Sequence, residues 1–333
     1  MNRNQIETVN PSPGAVGLPL SVTDALRLSS TLDAALAPTT RRCYASAYRS
    51  YQTWLRLRGY TNALEPSTVA AYLSLLAEDH SSSSVDLARA AILHNAGAEA
   101  SILAAHQGIR RTMRGTRRLA RGRQVRQARA LSRLEIRRLV DTVNTDDTPR
   151  GAHNKALLLL GLATGIRASE LCGIRLNDLK NVPGGLDVCI RYSKTSDLPI
   201  DISVAAVGGI LCPCAAITTY LGVLERLGGV SAPETFLLRP ILRGGMTVGD
   251  GQKALSPSAV TGILQRLAVA AGINTNGLTS HSLRSTFATE ALSSGEFSDA
   301  DVARGRWSEG SSMLHHYDRR TRWQHPASLW LGR

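Results

Sequence analysis

The sequence predicts a mainly α-helical chain in two parts: an all-helical first domain, then a mostly helical second domain with one small antiparallel β-sheet. Three observations carry this. Apolar residues recur at spacings of three and four through residues 21–119, with no strand-like alternation. Between residues 109 and 139 lie twelve arginines and one acid, Glu135, a break in composition between two apolar-patterned regions. Only one stretch, "GLDVCIRYSKTSDLPIDIS", alternates as a strand pair does.

Taken in order, residues 1–20 lack the basic and apolar regions of a signal peptide and read as a flexible leader. Residues 21–119 read as the helical domain. In "TTRRCYASAYRSYQTWLRLRGY", Tyr44, Tyr48, Tyr51, Trp54 and Leu55 form one stripe, and Gly59 stops the helix. "PSTVAAYLSLLAED" is a second amphipathic helix starting near Pro66. "SSSSVDLARAAILHNAG" is a third, with serines as N-caps and Gly97 as its stop. "ASILAAHQGIRRTMRGTRRLA" is a fourth. The arginine block, interrupted by Gly115 and Gly122, reads as a basic linker, placed at residues 120–130. A linker of that charge suits a phosphate backbone, where each neutralised phosphate releases counterions.

The second domain, residues 131–333, opens with a capping box, Ser132-x-x-Glu135. "NKALLLLGLATGIRASELCGI" reads as a buried helix that breaks at Thr164-Gly165 and restarts. The alternating stretch reads as a hairpin or small sheet, with Lys194 at the tip between strands. Two further helices, "CAAITTYLGVLERLGG" and "SPSAVTGILQRLAVAAGI", lead into "HSLRSTFATEALSSG".

The totals bound the function. A chain of 333 residues with 43% hydrophobic residues can bury two cores. A net charge of +13 points to a polyanionic partner, nucleic acid first. No run of 18 apolar residues is present, so no membrane span is expected. The five cysteines, Cys43, Cys172, Cys189, Cys212 and Cys214, form no disulfide framework and fit a reducing, cytoplasmic setting. Cys212-Pro213-Cys214 has no second Cys or His pair at zinc spacing, so no metal is expected.

Attack on a phosphodiester without a metal needs cations on the phosphate oxygens, a nucleophile, and an acid for the leaving oxygen. The second domain offers such parts. Arg167 follows the helix break, with Glu170 one turn on; by spacing alone the two read as a surface pair. Lys194 alone reads as a solvated turn lysine. His281 and Arg284 share a helix face at i,i+3; alone, the histidine reads as a cap. Tyr317, in "MLHHYDRR", is the one tyrosine after His281, and alone reads as a packed aromatic. A phenol of pKa about 10 needs a base or a cationic field to attack phosphorus.

"ATGIRASEL", "SKT", "HSLRSTFAT", "GRW" and "HHY" follow one another in this order over about 150 residues. This resembles the tyrosine recombinase (phage integrase) family, most of all its Cre-type members. The resemblance covers roughly residues 21–320. It implies a SAM-like helical core-binding domain and a catalytic domain. Arg167 and Arg284 would bind the scissile phosphate. Tyr317 would attack it and form a 3′-phosphotyrosine. Lys194 would protonate the 5′-oxygen, His281 would assist proton transfer at the tyrosine or bind phosphate, and Trp307 would donate its indole N–H to a phosphate oxygen. Glu170 would orient Arg167. The covalent link conserves the bond energy, so no cofactor, ATP or metal is implied. Trp307 to Tyr317 is ten residues, one more than is usual in the family. His315 and His316 read as non-catalytic. The apolar tail residues Leu329, Trp330 and Leu331 read as packing on a neighbouring protomer or on their own core.

The expected activity is site-specific recombination of duplex DNA by a homo-tetramer on two sites, through a four-way (Holliday) junction. The two domains would clamp the DNA, in a nucleoid-associated, cytoplasmic protein. A type IB topoisomerase or a hairpin-forming resolvase shares the chemistry. A non-catalytic DNA binder or an RNA-binding protein would share the charge. Expected DNA contacts are Arg41, Arg42 and Tyr44 on the first helix, and Arg110, Arg111, Arg114, Arg117, Arg118, Arg121 and Arg123 in the basic block. Ser256, Ser258 and Gln265 are expected on a helix entering the major groove.

Overall fold

The computed structural model describes residues 21–120, 127–191, 198–228 and 232–294. The expected leader, Arg121, Arg123, Lys194, Trp307, His315, His316, Tyr317 and the apolar tail lie outside the described residues. The chain divides into two compact units, Met1–Val125 and Arg126–Arg333.

Every described element of the first unit is helical. Helices α1 (Val22–Ala34), α2 (Pro38–Arg58), α3 (Pro66–Asp79) and α4 (Ser82–Asn95) come first. α2 and α3 each start on a proline, whose missing N–H costs nothing there. α2 ends at Gly59 in the left-handed conformation, and the Ser81 hydroxyl caps α4 by accepting the Ser84 N–H at 3.2 Å. The aromatic stripe of α2 turns inward: Tyr51 and Leu55 are buried with Val69, Tyr72, Leu73, Val85 and Ile92. The Tyr51 hydroxyl donates to the Ala63 carbonyl at 2.6 Å.

The expected fourth helix is two. α5 (Ala100–Ala105) and α6 (Gln107–Leu119) are split at His106, whose extended backbone breaks the ladder while its imidazole accepts the Gly108 N–H. The histidine thus acts as an N-cap in place of Ser or Asp. α6 carries the first arginines of the basic block and ends before the residues 120–130 expected as the linker. Ile109, Met113 and Thr116 are buried on one face of α6, so Arg110, Arg111, Arg114, Arg117 and Arg118 stand on its exposed face.

In the second unit, α7 (Arg133–Asn144) carries the expected capping box between Ser132 and Glu135. α8 (Pro149–Thr164) is the central helix; α7, α10 (Pro213–Arg226) and α12 (His281–Ser294) all pack on it. Leu157, Leu158, Leu159 and Leu160 are all buried, so the helix is apolar all round. After a left-handed Gly165 the chain restarts as α9 (Ala168–Gly173).

The alternating stretch supplies two strands of a three-stranded sheet, the small-sheet reading rather than a lone hairpin. The sheet's antiparallel order is β1 (Leu179–Val182), β2 (Gly185–Ile190), β3 (Ile200–Ala205), with Val188 opposite Ile202. Leu186, Val188 and Ile190 alternate into the core, as period two requires. β4 (Ile241–Leu242) and β5 (Thr247–Val248) form a second, very short hairpin before α11 (Pro257–Ala270). The five cysteines are free; the Cys212 sulfur accepts the Ala215 N–H at the start of α10, and the Cys214 thiol lies 3.5 Å from the Val204 carbonyl.

One core residue makes stability depend on pH. His153 on α8 is fully buried, edge-on to the Tyr220 ring at 5.4 Å. Burial pulls its pKa from 6.5 down to about 4. The unfolded chain therefore takes up this proton near pH 6.5 and the folded chain only near 4. The stability contributed by neutral His153 is complete above the unfolded value and is lost as pH falls toward the folded one, roughly 3 kcal/mol in all. Thermal unfolding near neutrality and at about pH 5 should show this loss, and His153→Asn should shrink it. An undiminished acid loss in the variant would assign the effect to other groups.

Candidate active site

The site grows from one turn. α8 ends because Gly165 adopts φ 61°, a conformation that costs glycine little. This bend brings Arg167 to the head of α9. The Arg167 guanidinium donates to Glu170 Oε1 at 2.9 Å, and its backbone N–H donates to Glu170 Oε2 at 2.9 Å. The Glu170 side chain is only 3% exposed and that of Arg167 22%. The pair that spacing alone placed on the surface is therefore inside the fold. A buried carboxylate held twice by one residue fixes the direction of that residue's guanidinium.

α12 supplies the rest. Leu283 and Ala288 are buried, and Phe287 lies across Gly165. They dock the helix so that Arg284, 5% exposed, donates from Nη1 to the Gly165 carbonyl at 2.9 Å. The turn thus holds both arginines, one through its carboxylate and one through its carbonyl. His281 stands at the exposed start of α12. Its pKa is lowered, first by desolvation, then by the Arg284 and Arg167 charges. The histidine therefore stays neutral close to two guanidinium groups. Three expected site residues and their carboxylate meet here; Lys194, Trp307 and Tyr317 lie outside the described residues.

The expected DNA contacts fall in several places. Arg41 and Arg42 are exposed near the start of α2, while Tyr44 is half-buried with its ring 5.4 Å from that of His94. Among the exposed arginines of α6, Arg117 pairs with Asp86 at 2.8 Å. Ser256 and Ser258 are exposed at the head of α11, where Ser256 caps the helix. Gln265 is half-buried and donates to the Leu278 carbonyl at 2.9 Å, a bond to the loop before α12. The Gly165 carbonyl was missed as a site group. A turn was legible at Thr164-Gly165, but nothing in a glycine codon position names the partner of its oxygen.

A model of the phage integrase family matches residues 129–319. The chain belongs to the phage integrase family. An integrase/recombinase xerD homolog of Selenomonas ruminantium is 25% identical over 307 residues, 88% of this chain and 84% of that protein. A lambda integrase dimer bound to a COC′ core site superposes with TM-score 0.58 at 20% identity, over 92% of this chain and 99% of that one. A lambda integrase tetramer bound to a Holliday junction gives 0.57 at 19% identity, over 92% and 80%. The fold is that of these integrases, mainly helical with a small antiparallel sheet, as the sequence predicts. This integrase is accordingly a tyrosine recombinase, a DNA-binding enzyme that cleaves and rejoins DNA in site-specific recombination. Among its described residues no helix is long and apolar enough to cross a membrane.

Proposed function

We propose that this recombinase cleaves each strand through Tyr317 and exchanges strands between two copies of a duplex target by way of a Holliday junction. The Tyr317 phenolic oxygen bonds to phosphorus as the bond from phosphorus to the 5′-oxygen breaks. His281 takes the phenolic proton and Lys194 gives one to the departing 5′-oxygen. Arg167 and Arg284 neutralise the non-bridging oxygens as charge builds on them, and Trp307 adds an indole N–H. Glu170 orients Arg167. The 3′-phosphotyrosine keeps the bond energy, and the 5′-hydroxyl of a partner strand reverses the step.

The observation that carries this reading is the α8–α9 turn, which holds Arg167 through Glu170 and Arg284 through the Gly165 carbonyl, with neutral His281 beside both. Two guanidinium groups held at one turn and one unprotonated imidazole suit a phosphodiester better than a carbonyl or a sugar. Residues 21–119 would grip the duplex through Arg41, Arg42, Tyr44 and the exposed face of α6, and residues 120–130, with Arg121 and Arg123, would link them to the catalytic residues 131–333. Ser256 and Ser258 would face the DNA from α11, while the Gln265 amide is committed to the Leu278 carbonyl. Four protomers would act on two sites, inside the cell, on nucleoid DNA.

Covalent trapping tests the chemistry. The protein is incubated with nicked duplexes cut from the DNA flanking its own gene, beside Tyr317→Phe, and run on a denaturing gel. A protease-sensitive adduct on the 3′ side, absent with Tyr317→Phe, is expected. An adduct that persists in Tyr317→Phe would give the nucleophile's role to another residue. Tight binding without any adduct on every fragment would favour a non-catalytic DNA binder.

A further inference from the structure

Helix α12 is held from a second side, and by polar groups rather than apolar ones. A strap formed by residues 127–132 runs against it. The Leu131 N–H donates to the Thr286 hydroxyl at 2.8 Å, and that hydroxyl donates to the Ser282 carbonyl at 2.7 Å. The Ser285 hydroxyl donates to the Ala128 carbonyl at 3.0 Å. Leu131, Ser285 and Thr286 are buried. Arg129, within the expected basic linker, belongs to the same fastening. Its guanidinium pairs with Glu135 at 2.8 Å and donates to the Asn274 carbonyl at 2.7 Å, while its N–H donates to the Gly277 carbonyl at 2.8 Å. Those two carbonyls belong to the loop that leads into His281.

A mid-helix threonine ordinarily bonds only its own helix or water. Here its oxygen also takes a backbone N–H from 155 residues away. An apolar contact resists separation but lets a helix slide or turn. A directional buried bond fixes its register. Arg284 stands next to Ser285 and two residues before Thr286, and successive residues of a helix point about 100° apart. The strap thus grips α12 beside the face that delivers Arg284 to the Gly165 carbonyl, through Ser285, and nearly opposite it, through Thr286.

We propose that Thr286, with Ser285, is a positioning residue for strand cleavage: strap residues 128–131 set the register of α12 and so the placement of the Arg284 guanidinium on the scissile phosphate. This rests on the reading of Arg284 as a phosphate ligand. Thr286→Val keeps the volume and removes the bond; Thr286→Ser keeps the bond. The readout is single-turnover cleavage of a trapped target duplex in two forms, one ordinary and one with a methylphosphonate at the scissile position. The methylphosphonate has lost one charged non-bridging oxygen, so it needs less from an arginine.

Thr286→Val is expected to slow ordinary cleavage on the order of ten- to a hundredfold, the usual cost of a misplaced group near the chemistry. It should cleave the methylphosphonate at the wild-type rate, and Thr286→Ser should resemble wild type on both. Equal losses on the two substrates, or no loss on either, would overturn the proposal. Ser285→Ala repeats the test should Thr286→Val not fold. Arg284→Ala separates the two layers. If the methylphosphonate does not relieve its defect, the phosphate-ligand reading of Arg284 fails and the strap proposal falls with it. If Arg284→Ala is relieved and Thr286→Val is not, the strap proposal fails alone.

Discussion

Arg284→Ala is expected to slow strand cleavage on the order of a thousandfold while leaving DNA affinity almost unchanged. Deleting a single preorganised donor to a developing oxyanion already costs about a hundred- to a thousandfold. Arg284 is a full charge, and its burial against the Gly165 carbonyl leaves it little freedom to be replaced by water. Affinity behaves differently because it sums many phosphate contacts, of which this is one. Arg284→Lys should recover little. Lysine offers a point charge, whereas the guanidinium can keep one N–H on the carbonyl of Gly165 and turn others to phosphate. Single-turnover cleavage and equilibrium binding, measured on one duplex, check this. A variant that loses affinity in step with rate would make Arg284 a general DNA contact, and one that cleaves normally would remove it from the chemistry.

What the sequence could and could not say follows from the range over which each signal acts. The break between α8 and α9 was legible because Thr164-Gly165 interrupts an otherwise unbroken apolar helix. β2 and β3 were legible because Leu186, Val188, Ile190, Ile202 and Val204 alternate. β1 was not, since "LKNV" is four residues long and pairs mainly through its backbone. The split at His106 was hidden because the capping group is an imidazole, with no glycine or proline at the break. Charge density alone does not separate the arginines of the basic block by their surroundings. A helix can carry five arginines on one face when Ile109, Met113 and Thr116 supply the other, and Arg129 is neutralised by Glu135 rather than by solvent. The pair Arg167 and Glu170 shows the same limit. Spacing predicts that two side chains meet, but burial decides whether the meeting is a solvated surface pair or a fixed strut, and burial is set by packing partners of α9 such as α11, far along the chain.

The same reasoning makes Gly165→Ala a severe substitution for so small a change. Two costs fall on one methyl group. The left-handed backbone at φ 61° penalises any side chain, by about 1 to 2 kcal/mol. The new Cβ would also stand 2.4 Å from Cδ1 and 2.6 Å from Cγ of Phe287. A ring wedged between α8 and α12 has little room to give, so the helix must shift, an overpacking cost of about 1 to 3 kcal/mol. The expected loss is about 3 kcal/mol, or about 6 to 12 °C in Tm for a unit of this size. The shift moves Arg284 and its carbonyl partner together, so cleavage should fall by about a hundredfold even where the variant is folded. Gly272→Ala is the control. Its φ is +65° but nothing lies within 4 Å of its Cβ, so it bears the backbone cost alone. Phe287→Ala removes Cγ and Cδ1, so Gly165→Ala measured against Phe287→Ala alone should keep mainly the backbone cost. Thermal unfolding and cleavage rates across these variants test the argument. If Gly165→Ala matched Gly272→Ala in both, the close approach of α12 to the turn would not be what sets the site.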